Sequence, residues 1–132
     1  MNLIILVVDD EPDVEQLFRQ QFRRDVRNGR FTMDFANSAP AGLRMVEAAE
    51  SGSLILLLSD ISMPGMTGLE LLPRVKALRP ELPVIMITAY GDAETRRQAK
   101  DAGAEDVYAK PIDFIALKSE IDRRIAARGV SA

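Results

Sequence analysis

The 132-residue chain contains no cysteine, no histidine and no tryptophan. Without cysteine there are no disulfides and no thiolate; without histidine the usual general base and the commonest metal ligand are gone. Serine–histidine and cysteine–histidine catalysis are excluded, so any chemistry falls to carboxylates, hydroxyls, lysine or arginine. Long hydrophobic runs are also missing. Nothing approaches the ~20 apolar residues that span a bilayer, and Met1 leads almost directly into an apolar strand without a basic region or a small-residue cleavage site. The chain therefore reads as cytoplasmic, with no membrane insertion. Excess positive charge is lacking too: a net charge of -3 argues against a nucleic-acid surface and leaves proteins and small ions as partners. With 47% hydrophobic and 28% charged residues, the composition is that of a folded globular chain, long enough for one domain with a sizeable core.

Three short runs are apolar at every position: Leu3-Ile4-Ile5-Leu6-Val7-Val8, Leu54-Ile55-Leu56-Leu57-Leu58, and Val84-Ile85-Met86-Ile87 after Pro83. Runs without alternation read as strands buried on both faces, the signature of a parallel sheet covered on two sides. Phe31, Met33 and Phe35 alternate with Thr32 and Asp34, which predicts a strand with one more polar face near the sheet's edge. A fifth, short strand is predicted around residues 106 to 109.

Helical spacing separates the strands. Val14, Leu17, Phe18, Phe22 and Val26 predict a first helix over about residues 12 to 27, with Pro12 in its first turn and Asp10 or Glu11 as its cap. Asn37 or Ser38 is expected to cap the second helix. The third reaches about Leu78 with Pro73 inside it, where a lost donor predicts an irregular or kinked first half. The fourth covers about residues 92 to 102, and Asp113 caps a fifth over about 114 to 127. Strands alternating with helices predict a three-layer, doubly wound α/β fold, (βα)5, around a five-stranded parallel sheet.

In such a sheet all strand carboxyl ends share one edge, where ligands bind. That edge would collect Asp9 and Asp10, Asp60, Thr88 and Lys110. Each has an ordinary reading alone: a helix cap, a turn residue, a β-favouring threonine, an exposed turn. Together they place acid, hydroxyl or ammonium at four of five strand ends. Three carboxylates in one crevice stay ionised only with compensating positive charge. Lys110 supplies one, and oxygen-only ligands favour Mg²⁺ for the remainder. The best nucleophile present is a carboxylate, able to form an acyl phosphate, and Asp60 is best placed for it.

With these residues the chain resembles the receiver domain of a bacterial two-component response regulator. The likeness runs from Leu3 to about Ala127, through Val7-Val8-Asp9-Asp10-Glu11, Asp60 with Met63-Pro64-Gly65 and Gly68, Thr88-Ala89, and Lys110-Pro111. It implies a flavodoxin-like strand order 2-1-3-4-5, one receiver domain over 1–128, and a frayed tail over 129–132. It implies that Asp60 accepts a phosphoryl group from the phosphohistidine of a sensor kinase or phosphotransfer protein. Mg²⁺, or Mn²⁺ in its place, would be held by Asp10, Asp60 and the Ser62 backbone carbonyl, with Asp9 acting through water. Lys110 would pair with the acyl phosphate, Thr88 would swing toward it, and Lys110–Pro111 would be cis. Phosphorylation would change the binding of an output protein or domain, and the fourth helix, fifth strand and fifth helix would form a surface available for a homodimer. The chain would be no enzyme beyond its own phosphorylation and dephosphorylation.

Two departures from the family pattern stand out. Receivers commonly carry an aromatic residue three before the lysine, where this chain has Val107; Tyr108, one residue later, is expected on the opposite face of the strand. With Val107 there, Tyr90, two residues after Thr88, is the candidate for the aromatic part of the switch, against the ordinary reading of a mobile surface aromatic. The resemblance also implies that Ser62 and Tyr90 occupy positions bordering the path of water to the phosphate, where a bulky Tyr90 is expected to slow hydrolysis. Two other functions compete. An aspartyl-phosphate phosphohydrolase would usually show Asp-x-Asp after the first strand and an added substrate cap, whereas this chain has adjacent Asp9-Asp10. A receiver used only for docking would not need the intact Asp60, Thr88 and Lys110.

Overall fold

In a computed structural model, which describes residues 3–127, five strands form one parallel sheet in the order β2-β1-β3-β4-β5. The strands are β1 (Ile4–Val8), β2 (Thr32–Ala36), β3 (Leu54–Asp60), β4 (Val84–Thr88) and β5 (Asp106–Ala109). Six helices connect and flank them: α1 (Pro12–Gln21), α2 (Arg23–Arg27), α3 (Ala39–Ala48), α4 (Gly68–Leu78), α5 (Ala93–Asp101) and α6 (Phe114–Ala127). The doubly wound layering is the one expected from the alternation of all-apolar runs with helical periodicity, and the strand order is the flavodoxin-like one that the family resemblance implies. The expected frayed tail at 129–132 lies outside the described residues.

Strand alternation divides the core into two layers. Leu6 and Val8, Leu57, and Val84 and Met86 meet Val46 of α3, Leu71, Leu72 and Val75 of α4, and Ala99 of α5. On the other face Ile5 and Val7, Leu56 and Leu58, and Ile85 and Ile87 meet Phe18 of α1 and Leu117 and Ile121 of α6. Most of these side chains are almost wholly buried, each removing about 1.5–3 kcal/mol of unfavourable apolar exposure. β2 is an edge strand with Thr32 and Asp34 exposed, as its polar alternation requires.

Three local expectations are corrected. The first helix does not run unbroken to residue 27. It leaves helical geometry at Phe22 (φ -110°, ψ 13°) before α2 begins. Phe22 is buried within 6.0 Å, ring to ring, of Phe18, Phe31 and Phe114, and that aromatic anchor holds the chain where the backbone turns. Neither Asp10 nor Glu11 caps α1 with its side chain. Glu11 stands at the N-cap position without a side-chain bond, and Asp9 Oδ1 instead accepts from the Glu11 N–H at 2.9 Å. Finally, the expected irregularity around Pro73 does not interrupt α4, which is helical from Gly68 to Leu78 with Pro73 exposed on its surface. Other caps match their sequence signals: Ser38 Oγ accepts from Ala41 N at 3.2 Å, and Asp113 Oδ1 from Ala116 N at 3.1 Å.

Candidate functional site

The site is built from the ends of β1, β3, β4 and β5. Asp60 is the last residue of β3, pairs in register with Ile87, and has a side chain only 4% exposed. Its Oδ1 accepts from the Ser62 N–H at 3.3 Å, while Oδ2 lies 3.4 Å from Lys110 Nζ. Directly after β1, the equally buried Asp9 side chain offers Oδ2 at 3.4 Å from the same ammonium. Glu11 Oε1 completes the ring around Lys110, also at 3.4 Å. Lys110 follows β5, tied down by its N–H donating to the Thr88 carbonyl at 2.8 Å, and the Lys110–Pro111 peptide is cis.

One ammonium thus faces three carboxylates, and the electrostatics show the shortfall. Burial, with the charge of Asp9 added, holds the Asp60 carboxyl above its ordinary pKa against the opposing pull of Lys110 and the Ser62 N–H. Burial likewise raises Asp9, only partly offset by its bond from Glu11 and by Lys110. For Lys110 burial acts downward, but Asp9, Asp60 and Glu11 outweigh it and the pKa is raised.

Carboxylate oxygens of Asp9, Asp10, Glu11 and Asp60 all lie within 4.8 Å of one another, close enough to share one ion. Asp9 Oδ2 is buried without a hydrogen bond, and the Asp10 side chain has no hydrogen bond or ion pair among the described residues. A buried, under-satisfied carboxylate oxygen beside an all-oxygen donor set fits a hard divalent cation rather than a softer metal.

The β3–α4 connection fixes Asp60 from below. Gly65 turns the loop at φ +75°, and Gly68 opens α4 in contact with the strand end, its N–H donating to the Ile61 carbonyl at 2.8 Å. A β-carbon on Gly68 would sit 2.2 Å from the Asp60 carbonyl oxygen. Thr67 caps this helix reciprocally with Glu70: Glu70 N donates to Thr67 Oγ1 at 3.2 Å, and Thr67 N to Glu70 Oε1 at 3.0 Å.

Thr88 ends β4, buried beside Asp60's strand, but its hydroxyl is bound into its own loop. It accepts from the Tyr90 N–H at 2.9 Å and donates to the Tyr90 carbonyl at 3.3 Å. Tyr90 itself is 72% exposed. Val107 packs into the layer beneath α3–α5, whereas Tyr108 packs on the opposite layer with Phe114 and Ile112, as strand alternation predicts.

The comparisons with known proteins agree with this geometry. A family model for the response regulator receiver domain matches residues 5–122. The chain belongs to the response regulator receiver family. Sporulation initiation phosphotransferase F of Bacillus subtilis (strain 168) is 32% identical over 123 residues, covering 93% of this chain and 94% of that protein. The DNA-binding transcriptional regulator NtrC of Escherichia coli (strain K12) is 35% identical over 123 residues, but the chain spans only 25% of it. Similarly, it spans 27% of the response regulator protein PilR of Pseudomonas aeruginosa, at 34% identity. Among solved structures, a CheY-like receiver domain protein from Methanospirillum hungatei JF-1 superposes with a TM-score of 0.84 at 28% identity, covering 98% of both chains. This receiver domain is a phosphorylation-activated signalling switch of the two-component type.

Of the residues singled out in the sequence, Asp9, Asp10, Asp60 and Lys110 meet at one site, and Thr88 joins them through the backbone. The sequence places Glu11 in the motif after β1 and at the helix start, with no role at the site of its own. That it belongs to the Lys110 ring follows from its position directly after Asp9-Asp10, a signal the capping interpretation absorbed. No helix among the described residues is long and apolar enough to cross a membrane.

Proposed function

We propose that Asp60 is the phosphoacceptor of this receiver and that a phosphohistidine on a sensor kinase or phosphotransfer protein is the donor. The observation that carries this reading is the buried Asp60 carboxylate at the mouth of β3, with Oδ2 3.4 Å from the Lys110 ammonium and three further carboxylates beside it. An Asp60 oxygen attacks phosphorus, a P–O bond forms, and the P–N bond breaks with its electron pair going to the imidazole, which takes up a proton. Lys110 then pairs with the phosphoryl oxygens, exchanging a carboxylate partner for a more highly charged one. Asp10, Asp60 and the Ser62 carbonyl would hold Mg²⁺, with Mn²⁺ as a substitute and Asp9 acting through water. When bound, the cation neutralises the carboxylate cluster and the incoming phosphoryl oxygens. Thr88 supplies a hydroxyl one strand away, and Ser62 and the exposed Tyr90 border the approach of hydrolytic water. Catalysis in this reading is confined to the domain's own phosphorylation and dephosphorylation. Output passes to a partner protein or domain through α5, β5 and α6, the same face proposed for a homodimer.

The test is exposure to acetyl phosphate with Mg²⁺, followed by intact-mass measurement and peptide mapping. A phosphoryl adduct on the wild type that disappears in Asp60→Asn is the expected result. An adduct that survives Asp60→Asn would sink the assignment, and steady phosphate release from diverse monoesters would favour a hydrolase instead.

A further inference from the structure

With Asp60 as the phosphoacceptor, on which reading this rests, a change at Thr88 has a direct route to β5. A threonine hydroxyl has one proton to donate, and here that proton goes to the Tyr90 carbonyl. Donating to a phosphoryl oxygen on Asp60 therefore requires releasing Tyr90, which frees the turn between β4 and α5. The next residue, Gly91, is held from the other side. Arg96, half-buried on α5, donates Nε to the Gly91 carbonyl at 3.0 Å and Nη1 to the Val107 carbonyl at 2.9 Å. One planar guanidinium thus joins the switch loop to the outer edge of β5.

Val107 cannot make that connection with its own side chain, which is 2% exposed and locked in the layer with Met86, Ala99 and Ala104. Both outward-facing backbone groups of Val107 are instead covered by side chains, its N–H by Asp106 Oδ1 at 2.8 Å and its carbonyl by Arg96. The space is tight: a β-carbon on Gly91 would lie 3.2 Å from Ala109 Cβ and 3.4 Å from Arg96 Nη2. Displacement of the loop therefore pulls directly on the guanidinium and, through it, on β5. Arginine suits this role because its fork donates in two fixed directions at once, which a lysine ammonium on a flexible stem does not.

We propose that Arg96 is the positioning residue that couples the Thr88–Gly91 loop to β5, so that phosphorylation at Asp60 is transmitted to the β5–α6 face through a guanidinium rather than an aromatic side chain. The test compares backbone-amide chemical shifts with and without beryllofluoride and Mg²⁺ in wild type, Arg96→Ala and Arg96→Lys. In wild type the adduct should shift the amides of Tyr90 and Gly91 and also those of Val107 and Tyr108. In Arg96→Ala the loop should respond as before while the β5 response falls to less than about a third, with Arg96→Lys retaining an intermediate share. An undiminished β5 response in Arg96→Ala, or in Arg96→Lys if the alanine variant does not fold, overturns the coupling. A wild type that responds at Tyr90 but not at Val107 overturns it while leaving the Asp60 assignment standing. Failure of the wild type to form any adduct overturns that assignment and the coupling with it.

Discussion

Gly68→Ala places two opposing effects at one position, and the structure decides between them. Alanine in place of glycine favours a helix by up to about 1 kcal/mol, less at the first residue after the N-cap, where Gly68 stands. Against this, the new β-carbon would lie 2.2 Å from the Asp60 carbonyl oxygen, 2.7 Å from Met86 Cε and 2.9 Å from Ile61 Cα. The methionine terminus can swing away, but the other two atoms are backbone. To restore even 3.0 Å, the strand end and the helix start must separate by about 0.8 Å, stretching the Gly68 N–H bond to Ile61 as well. Overpacking of this kind costs about 1–3 kcal/mol and a weakened hydrogen bond about 1 more, so after the helix-propensity gain a net loss of about 1–4 kcal/mol is expected. For a domain of this size that corresponds to a melting temperature lower by about 3–15 °C. The displaced backbone carries Asp60, and a misplacement of that order can slow a positioned reaction by about a hundredfold. Thermal unfolding followed by circular dichroism, together with the rate of phosphorylation by acetyl phosphate, measures both. A variant as stable as wild type and phosphorylated as fast would refute the reasoning, because it would mean that the β3–α4 contact neither stabilises the fold nor sets the acceptor.

Three further outcomes are expected. Because Asp9 and Asp60 have folded-state pKa values raised by burial, their contribution to stability is greatest below about pH 4, where both states are protonated, and is lost as pH rises through the raised values. Without metal, Asp60→Asn should therefore melt above wild type at neutral pH, by a margin that shrinks toward pH 4 and on adding Mg²⁺; a margin insensitive to both would contradict the account. Lys110→Ala leaves three carboxylates without their shared counter-charge, at a cost of about 1–3 kcal/mol given its partial exposure, and Mg²⁺ should raise the melting temperature of this variant more than that of wild type. An equal Mg²⁺ increment in both proteins would argue against a shared neutralising role. Thr67→Ala removes one half of the capping box on α4 and should cost about 1 kcal/mol in urea unfolding, whereas no loss would show that the cap adds nothing to the packing of Leu71, Leu72 and Val75.

Much of the site was legible because a parallel sheet aligns its strand ends. Once Leu3–Val8, Leu54–Leu58 and Val84–Ile87 are read as buried strands, the polar groups that follow them must share an edge, and Asp9, Asp60 and Lys110 do meet there. The helix caps at Ser38 and Asp113 were equally readable, since such capping is satisfied within a few residues. The α1 cap was not, because Glu11 lies near Lys110, 99 residues away, and Asp9 takes over its N–H. The break at Phe22 escaped for the same reason: helical spacing continues to Val26, while the aromatic cluster that anchors the ring comes from β2's approach and from α6.

By itself, the sequence determined the alternation of strands and helices, the edge that carries the chemistry, and the types of group available there, because periodicity and capping are local and parallel topology follows from them. Only the tertiary structure decided which groups touch. It placed three carboxylates around one ammonium, left Asp9 Oδ2 buried without a hydrogen bond, turned the Thr88 hydroxyl toward Tyr90, and joined Gly91 to Val107 through Arg96. Those contacts depend on the packing of elements distant in sequence and on side-chain rotamers chosen after that packing, which no local pattern encodes.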